Sequence, residues 1–263
     1  MTDQEFIYVN QQIRRTLGID LSYYKGQQMR RRLDAYLRRS GAPSWADYFR
    51  RLSRDTEEQR RLRDYLTINV SSFFRDPEKF QELEQKIFPL IVRRGEPFRM
   101  WSAGCSHGAE AYSLAMLAES NSIRPYEVWA TDIDRSILIK ARTGGPYSGD
   151  DVKTVPPLFM RRYFELHQGQ YYVKEALRRH VVFEEHNLLE AVSVQAPFDL
   201  VVCRNVIIYF SEEAKQRVLR HLVAAMRPGG VLFLGGTEVI APAVARSLGL
   251  RSVGISFYQK MPG

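Results

Sequence analysis

Apolar residues recur at helical spacing from the start of the chain: Phe6, Val9, Ile13 and Leu17 share one face, and Gly18 ends the run. The spacing predicts a second helix, capped by Ser22 and ending near Gly41, with Met29, Leu33, Tyr36 and Leu37 as its apolar face. Residues 47–52 and 57–66 carry two further helical patterns. Residues 1–66 therefore read as a small helical bundle, too short to enclose a cofactor. A polar junction follows over 69–80, where Asn69, Ser71 and Ser72 surround Phe73, Phe74 and Arg75, and Pro77 opens a helix at its first turn. From about residue 81 the pattern alternates. Strands are predicted over 97–102, 127–131, 181–184, 198–203, 230–235 and 254–260, and helices near 78–94, 109–120, 134–142, 212–226 and 239–247. This alternation gives βαβ units and a doubly wound, mostly parallel α/β sheet. Met226-Arg227-Pro228-Gly229-Gly230 reads as the turn into the fifth strand. Residues 144–180 are longer than a simple connection and hold a helical piece at 158–164 and a β piece at Tyr171, Tyr172 and Val173. They read as a small β-subdomain inserted at the sheet's edge.

In such sheets ligands bind beyond the carboxyl ends of the strands. Four segments converge there: residues 104–110, Asp132 with Asp134 beyond it, Asn187-Leu188, and residues 203–210. The first runs Gly104-Cys105-Ser106-His107-Gly108-Ala109-Glu110, a small-residue turn that opens a helix. Glycines allow close backbone approach, and a helix N-terminus offers free N–H groups. An acid at the end of the next strand, here Asp132, can accept from ribose hydroxyls. The pattern is G-x-x-x-G, not the dinucleotide G-x-G-x-x-G, so a nucleoside cofactor fits better than NAD. Arg204 and Asn205 end an apolar strand where charged and amide groups need a partner. No Cys/His cluster has metal-ligand spacing, and no phosphate loop of the G-x-x-x-x-G-K type is present.

Length, charge and cysteine usage narrow the class. The 263 residues suffice for one large domain or two smaller ones. No apolar run approaches the roughly 18–20 residues of a membrane span. Two cysteines, Cys105 and Cys203, make no disulfide framework, and a cytoplasmic protein is expected. The net charge is +8, and residues 1–66 hold 14 Lys and Arg against 9 Asp and Glu, so +5 lies in the first quarter of the chain. An acidic partner is implied. Lys25, Arg32 and Arg39 recur every seven residues along the second helix, with Arg31 and Arg38 in the next row.

Read together, these blocks resemble the chemotaxis receptor glutamate O-methyltransferase family, CheR, from Phe6 to Lys260. The blocks are Thr67-Ile68-Asn69-Val70-Ser71-Ser72-Phe73-Phe74-Arg75-Asp76-Pro77, Trp101-Ser102-Ala103-Gly104-Cys105-Ser106, Ala130-Thr131-Asp132-Ile133-Asp134, Asn187-Leu188-Leu189, Cys203-Arg204-Asn205-Val206-Ile207-Ile208-Tyr209-Phe210 and Pro228-Gly229-Gly230. The resemblance implies a Rossmann-like sheet that binds S-adenosylmethionine, with S-adenosylhomocysteine as product. It also implies methylation of glutamates on the cytoplasmic helical bundle of chemoreceptors. By it, residues 1–68 form a receptor-recognition domain and 69–263 the methyltransferase domain, with the insertion at about 144–180. Carried over by position, cofactor contacts fall on Asn69, Ser71, Arg75, Glu110, Asp132, Asn187, Leu188, Arg204 and Asn205, and the catalytic pair is Arg75 and Tyr209. The family usually reads Ser-Thr-Gly-Glu-Glu-Pro-Tyr where this chain has Ser106-His107-Gly108-Ala109-Glu110-Ala111-Tyr112, so only the second glutamate is kept.

The implied chemistry asks little of the side chains. A glutamate carboxylate is an anion at pH 7 and attacks a sulfonium methyl with no general base. Lys25, Arg31, Arg32, Arg38 and Arg39 become the receptor-docking stripe, since receptor helices around methylation sites are rich in Glu and Gln. Some family members add a receptor C-terminal peptide to the edge of the β-subdomain, whose loop is then glycine-rich. Here residues 165–172 are short with one glycine, so no tether is expected. A monomer is expected, with no nucleic acid partner, no metal and no membrane insertion. Two other readings compete. A nucleic-acid methyltransferase fits the basic charge but lacks a Pro-Pro-Tyr element, and Cys203 is followed by Arg204, not proline. A cofactor-binding module without turnover would fit Ala109 and Ala111 but not the retention of Arg75, Glu110 and Tyr209.

Overall fold

A computed structural model describes residues 1–67, 71–93, 95–191 and 197–262. The chain divides into two compact units, one of residues 1–68 with 209–217, the other of 69–208 with 218–263.

The first unit contains α1 (Asp3–Leu17), α2 (Gly26–Ser40), α3 (Trp45–Leu52) and α4 (Thr56–Thr67). Thr2 caps α1 by accepting from Glu5 N, and Gly18 closes it in the left-handed region at φ 74°. The predicted cap of α2 is corrected: Ser22 lies in a short 3-10 turn capped by Asp20, and α2 starts after Lys25 with no side-chain cap. The heptad-like apolar spacing meets in one core of Val9, Ile13, Met29, Leu33, Trp45 and Leu62. Glu58 on α4 accepts from Tyr36 on α2 and from Tyr48 on α3, both at 2.9 Å, so one carboxylate ties three helices.

The second unit is built on a sheet of order β5-β2-β1-β6-β7-β9-β8. Its strands are β1 (Phe98–Ala103), β2 (Tyr126–Asp132), β5 (Val181–Glu185), β6 (Phe198–Cys203), β7 (Met226–Leu234), β8 (Leu250–Ser252) and β9 (Phe257–Lys260). The first five named pair in parallel, and β9 returns antiparallel against β7 and β8. β6 is buried at every residue, as expected of a strand covered on both faces. α7 (Ala109–Ser120) and α8 (Arg135–Thr143) pack on the strands before them. Between β1 and β6 the strand order reverses, and the crevice at that switch point opens at the strands' carboxyl ends. Cys105 and Cys203 sit there, both free and wholly enclosed, and burial pushes both thiols far up.

Three sequence expectations change. The helix at 78–94 is α5 (Pro77–Glu82), a π turn over Leu83–Ile87, and α6 (Phe88–Ile91). The Pro-Gly-Gly turn is instead inside β7, absorbed by an irregularity in its pairing with β6 between Phe198 and Leu200. The single last strand is two, β8 and β9. In the insertion, α9 (Gly149–Val152) and α10 (Pro157–Tyr163) precede a hairpin of β3 (Phe164–His167) and β4 (Gln170–Val173), followed by α11 (Glu175–Arg178). The stretch read as a loop, 165–172, is that hairpin, turned by Gln168 and Gly169 at φ 49° and 76°. α12 (Glu212–Ala224) and α13 (Pro242–Ser247) complete the helices. Among the described residues no helix is long and apolar enough to cross a membrane.

Candidate functional site

The turn after β1 is shaped by two glycines. Gly104 has φ 83°, and a Cβ there would stand 2.6 Å from Val206 Cγ2. Gly108, at φ 88°, caps α7 and abuts Phe183 and Ala141. Glu110 falls in the first turn of α7, where the helix dipole favours an anion. Its Oε1 accepts from Ser102 Oγ at 2.8 Å, and its Oε2 lies 3.5 Å from Arg204 Nη1. Burial pushes its carboxyl up, while Arg204 and Ser102 hold it down. The two alanines that replace family residues, Ala109 and Ala111, are both fully buried.

Arg204, just past β6, is the centre of the cluster. Its side chain is almost fully enclosed, with the guanidinium over the rings of Phe233 and Phe80 at 4.7 and 5.4 Å. Besides Glu110, it donates to Asp76 Oδ2 at 2.7 Å and to the Arg75 carbonyl at 2.9 Å. One guanidinium thus joins the ends of β1 and β6 to the junction segment. Among its described residues, Ser71, Phe73 and Phe74 are held as well. His107 Nε2 meets the Ser71 carbonyl at 3.0 Å, Phe73 N donates to the Asp151 carbonyl at 2.9 Å, and Phe74 N to Ser113 Oγ at 3.0 Å. Burial lowers the pKa of His107, so the ring is neutral at pH 7; a carbonyl only accepts, so the proton is on Nε2.

Asp132 ends β2. Its Oδ2 accepts from Ser106 N at 2.8 Å and its Oδ1 from Asp134 N at 3.0 Å, which ties the two strand ends together. Burial pushes its carboxyl up to about 6, against the pull of those two N–H groups. Asp134 is a helix cap, accepting from Ser136 N and Ser136 Oγ.

The structure thus brings Ser71, Arg75, Glu110, Asp132, Arg204 and Asn205 to one end of the sheet. Asn187 and Leu188 follow β5. Asn187 makes an Asx turn to Leu189 N at 3.1 Å and donates to Glu190, and neither residue hydrogen-bonds to Glu110, Asp132 or Arg204 among the described residues. Asn69 lies outside the described residues. Tyr209 ends the 3-10 turn Ile207–Tyr209 and belongs to the helical unit, where its carbonyl accepts from Lys25 N at 3.0 Å. On α2, Arg31, Arg38 and Arg39 are exposed, as is Lys25, whereas Arg32 is half-buried, stacked 4.7 Å over Tyr65 and donating to its carbonyl.

Sequence reasoning missed Glu238. This buried carboxylate, after β7, accepts from four backbone N–H groups: Asn205, Val206, Ile208 and Gly235. The only signal was an acid between Gly235-Gly236-Thr237 and the apolar pair Val239-Ile240.

The site fits a polar, nucleoside-bearing ligand. Ser106 Oγ, His107 Nδ1, Arg204 Nε and Asn205 Oδ1 are buried without a hydrogen-bond partner among the described residues, which is rare unless a ligand or ordered water satisfies them. Phe74, Asp76, Ser106 and Asn205 all have positive φ, and strain of this kind, about 1–3 kcal/mol each, gathers at ligand sites.

Family models and sequence relatives identify the family. A family model described as "CheR methyltransferase, SAM binding domain" matches residues 69–252, and one described as "CheR methyltransferase, all-alpha domain" matches 4–67. The chemotaxis protein methyltransferase of Listeria monocytogenes is 34% identical over 98% of this chain and 98% of its own. That of Escherichia coli K12 is 35% identical, covering 90% of this chain and 85% of its own. Among solved structures, PKMT2 from Rickettsia typhi in complex with AdoHcy is similar over 63% of this chain and 26% of its own, at 17% identity and a TM-score of 0.40.

Proposed function

The chain belongs to the CheR methyltransferase family and is a S-adenosylmethionine-dependent enzyme, and from that premise we propose that it methylates glutamate side chains on the cytoplasmic helical bundle of chemoreceptors. The observation that carries the reading is the Glu110–Arg204 pair between the ends of β1 and β6, with Asp132 at the end of β2 beside it. Asp132 receives the ribose hydroxyls and Glu110 the cationic amino-acid end of the cofactor. Ser71, Asn187, Leu188, Arg204 and Asn205 complete the contacts, with Asn69 from the junction.

Bound S-adenosylmethionine supplies an electrophilic methyl on a sulfonium sulfur. The substrate carboxylate is already ionised at pH 7, so the chain's residues orient it and exclude water instead of moving a proton. Arg75 and Tyr209 are the catalytic residues. The Arg75 carbonyl accepts from Arg204, which ties its backbone to the cluster, and its guanidinium positions the carboxylate. Full pairing would cost the carboxylate nucleophilicity. Docking falls to the exposed Lys25, Arg31, Arg38 and Arg39, whereas Arg32 is half-buried and donates to the Tyr65 carbonyl. The protein acts in the cytoplasm as a monomer.

The two-residue turn of the β3–β4 hairpin supports recognition without a peptide tether. The competing observation is the outer edge of β3, which has no strand partner among the described residues and borders a groove of about 560 Å³. Calorimetry with a free receptor C-terminal peptide decides between them, tight binding refuting the tether-free reading. Substrate class is tested by offering labelled S-adenosylmethionine with receptor fragments or with RNA, then mild alkali. Alkali-labile label on protein is expected; alkali-stable label on RNA refutes the proposal in favour of a nucleic-acid methyltransferase.

A further inference from the structure

The turn that carries Arg204 and Asn205 is neither helix nor regular strand, yet its backbone is fastened from behind by one side chain. Glu238 Oε2 accepts from Asn205 N at 2.7 Å and from Gly235 N at 2.8 Å; its Oε1 accepts from Val206 N at 2.9 Å and from Ile208 N at 3.2 Å. A carboxylate has about four lone-pair sites, and all four are used. Glu238 is 5% exposed, and no Lys or Arg forms an ion pair with it among the described residues. Its charge is therefore compensated by peptide N–H groups. The fit is close: a Cβ at Gly235 would stand 2.5 Å from Glu238 Oε2 and 3.0 Å from Asn205 N, so glycine is required there.

The bonds flank the strained residue. Asn205 has φ 59°, and Glu238 holds the N–H on each side of its Cα. With both peptide groups pinned, the direction of the Asn205 side chain follows, and its buried Oδ1 has no partner among the described residues. One residue earlier, Arg204 sends its guanidinium to Glu110, Asp76 and the Arg75 carbonyl. Slack in this turn would move both residues together.

We infer that Glu238 is a positioning residue for methyl transfer: it templates the 205–208 backbone so that Arg204 and Asn205 are presented to the cofactor. The inference rests on the reading of those two residues as cofactor contacts. Glu238→Gln keeps the volume, but one amide oxygen serves at most two of the four N–H groups and the new NH2 faces the others. Glu238→Asp keeps the charge and is one methylene short.

The test uses the whole protein, with calorimetry of S-adenosylhomocysteine binding and residue-resolved amide exchange. For Glu238→Gln, the amides of Asn205, Val206, Ile208 and Gly235 are expected to exchange faster while those of β1 and β2 keep their protection. Affinity is expected to fall about tenfold or more, because small misplacements of binding groups are costly. Glu238→Asp is expected to fall less. Wild-type affinity with the four amides deprotected overturns the inference. So does a loss of protection throughout β1 and β2, which marks general destabilisation. If Glu238→Gln does not fold, Glu238→Asp is judged by the same two readouts. Asn205→Ala and Asp132→Ala separate the two layers. If both bind normally, the reading of the site has failed; if they weaken binding and Glu238→Gln does not, only the positioning role has failed.

Discussion

If Asp132 receives the ribose hydroxyls as proposed, it sets binding against stability, and the conflict can be measured. Burial raises its carboxyl from 3.8 to about 6. A carboxyl raised in this direction favours the fold below its unfolded value, and that contribution is lost as pH rises through the folded value. The shift corresponds to about 3 kcal/mol against the ligand-free fold by pH 7. Ribose hydroxyls donate best to the ionised form, so binding requires the state that burial disfavours. Between pH 7 and pH 5 the ionised fraction falls from about nine-tenths to about one-tenth, and affinity for S-adenosylhomocysteine is expected to fall about tenfold. Asp132→Ala removes the hydrogen bonds, about 1–3 kcal/mol, which is about 5- to 150-fold in affinity at pH 7. It also removes the inflection near pH 6. Calorimetry at several pH values from 5 to 8 reads both effects. Burial likewise raises the Glu110 carboxyl and lowers the His107 ring, so a residual inflection in the variant belongs to them. Unchanged affinity with the inflection at full size refutes the assignment of Asp132.

Arg204→Met keeps contact with the Phe80 and Phe233 rings but leaves Glu110 with Ser102 alone. Breaking a buried pair costs about 3–5 kcal/mol, with the half-exposed Asp76 adding little; urea unfolding showing a loss under about 1 kcal/mol contradicts this. For Tyr209→Phe, turnover falls and cofactor affinity holds if the hydroxyl orients the reacting groups; equal turnover in a methyl-transfer assay ends that role. Charge reversal of Arg31 and Arg38 together is expected to abolish receptor methylation and spare cofactor binding. In the wild type, receptor binding weakens as salt rises. Methylation intact in the double variant would make these arginines a merely solvated face.

The sheet was legible where apolar runs were long. β1, β2, β5 and β6 fall within a residue or two of the predicted spans, because strands buried on both faces leave a continuous apolar signature. Local chemistry misled at Pro228-Gly229-Gly230, whose turn signal is real but is absorbed as a pairing irregularity inside β7. β3 was missed because three of its four residues are exposed, and Glu165 and His167 are polar. Asp132 and Arg204 could be singled out because each stands at the end of an apolar strand, and Glu110 because it is the acid in the first turn of the helix after Gly108. Glu238 could not, because three of its four partners are peptide groups 30 to 33 residues away, and backbone N–H groups leave no trace in a sequence.

Cys105 and Cys203 were described as wholly enclosed, with thiols far above their ordinary titration range. A thiolate is what maleimides and spin-label reagents attack, and neither residue offers one. The wild-type chain is therefore already silent toward labelling. A cysteine substituted at an exposed position of α2, such as Gln28, would be the one site such reagents reach. Distances from a receptor helix to that helix face could then be measured by paramagnetic or fluorescent probes without first removing either native cysteine.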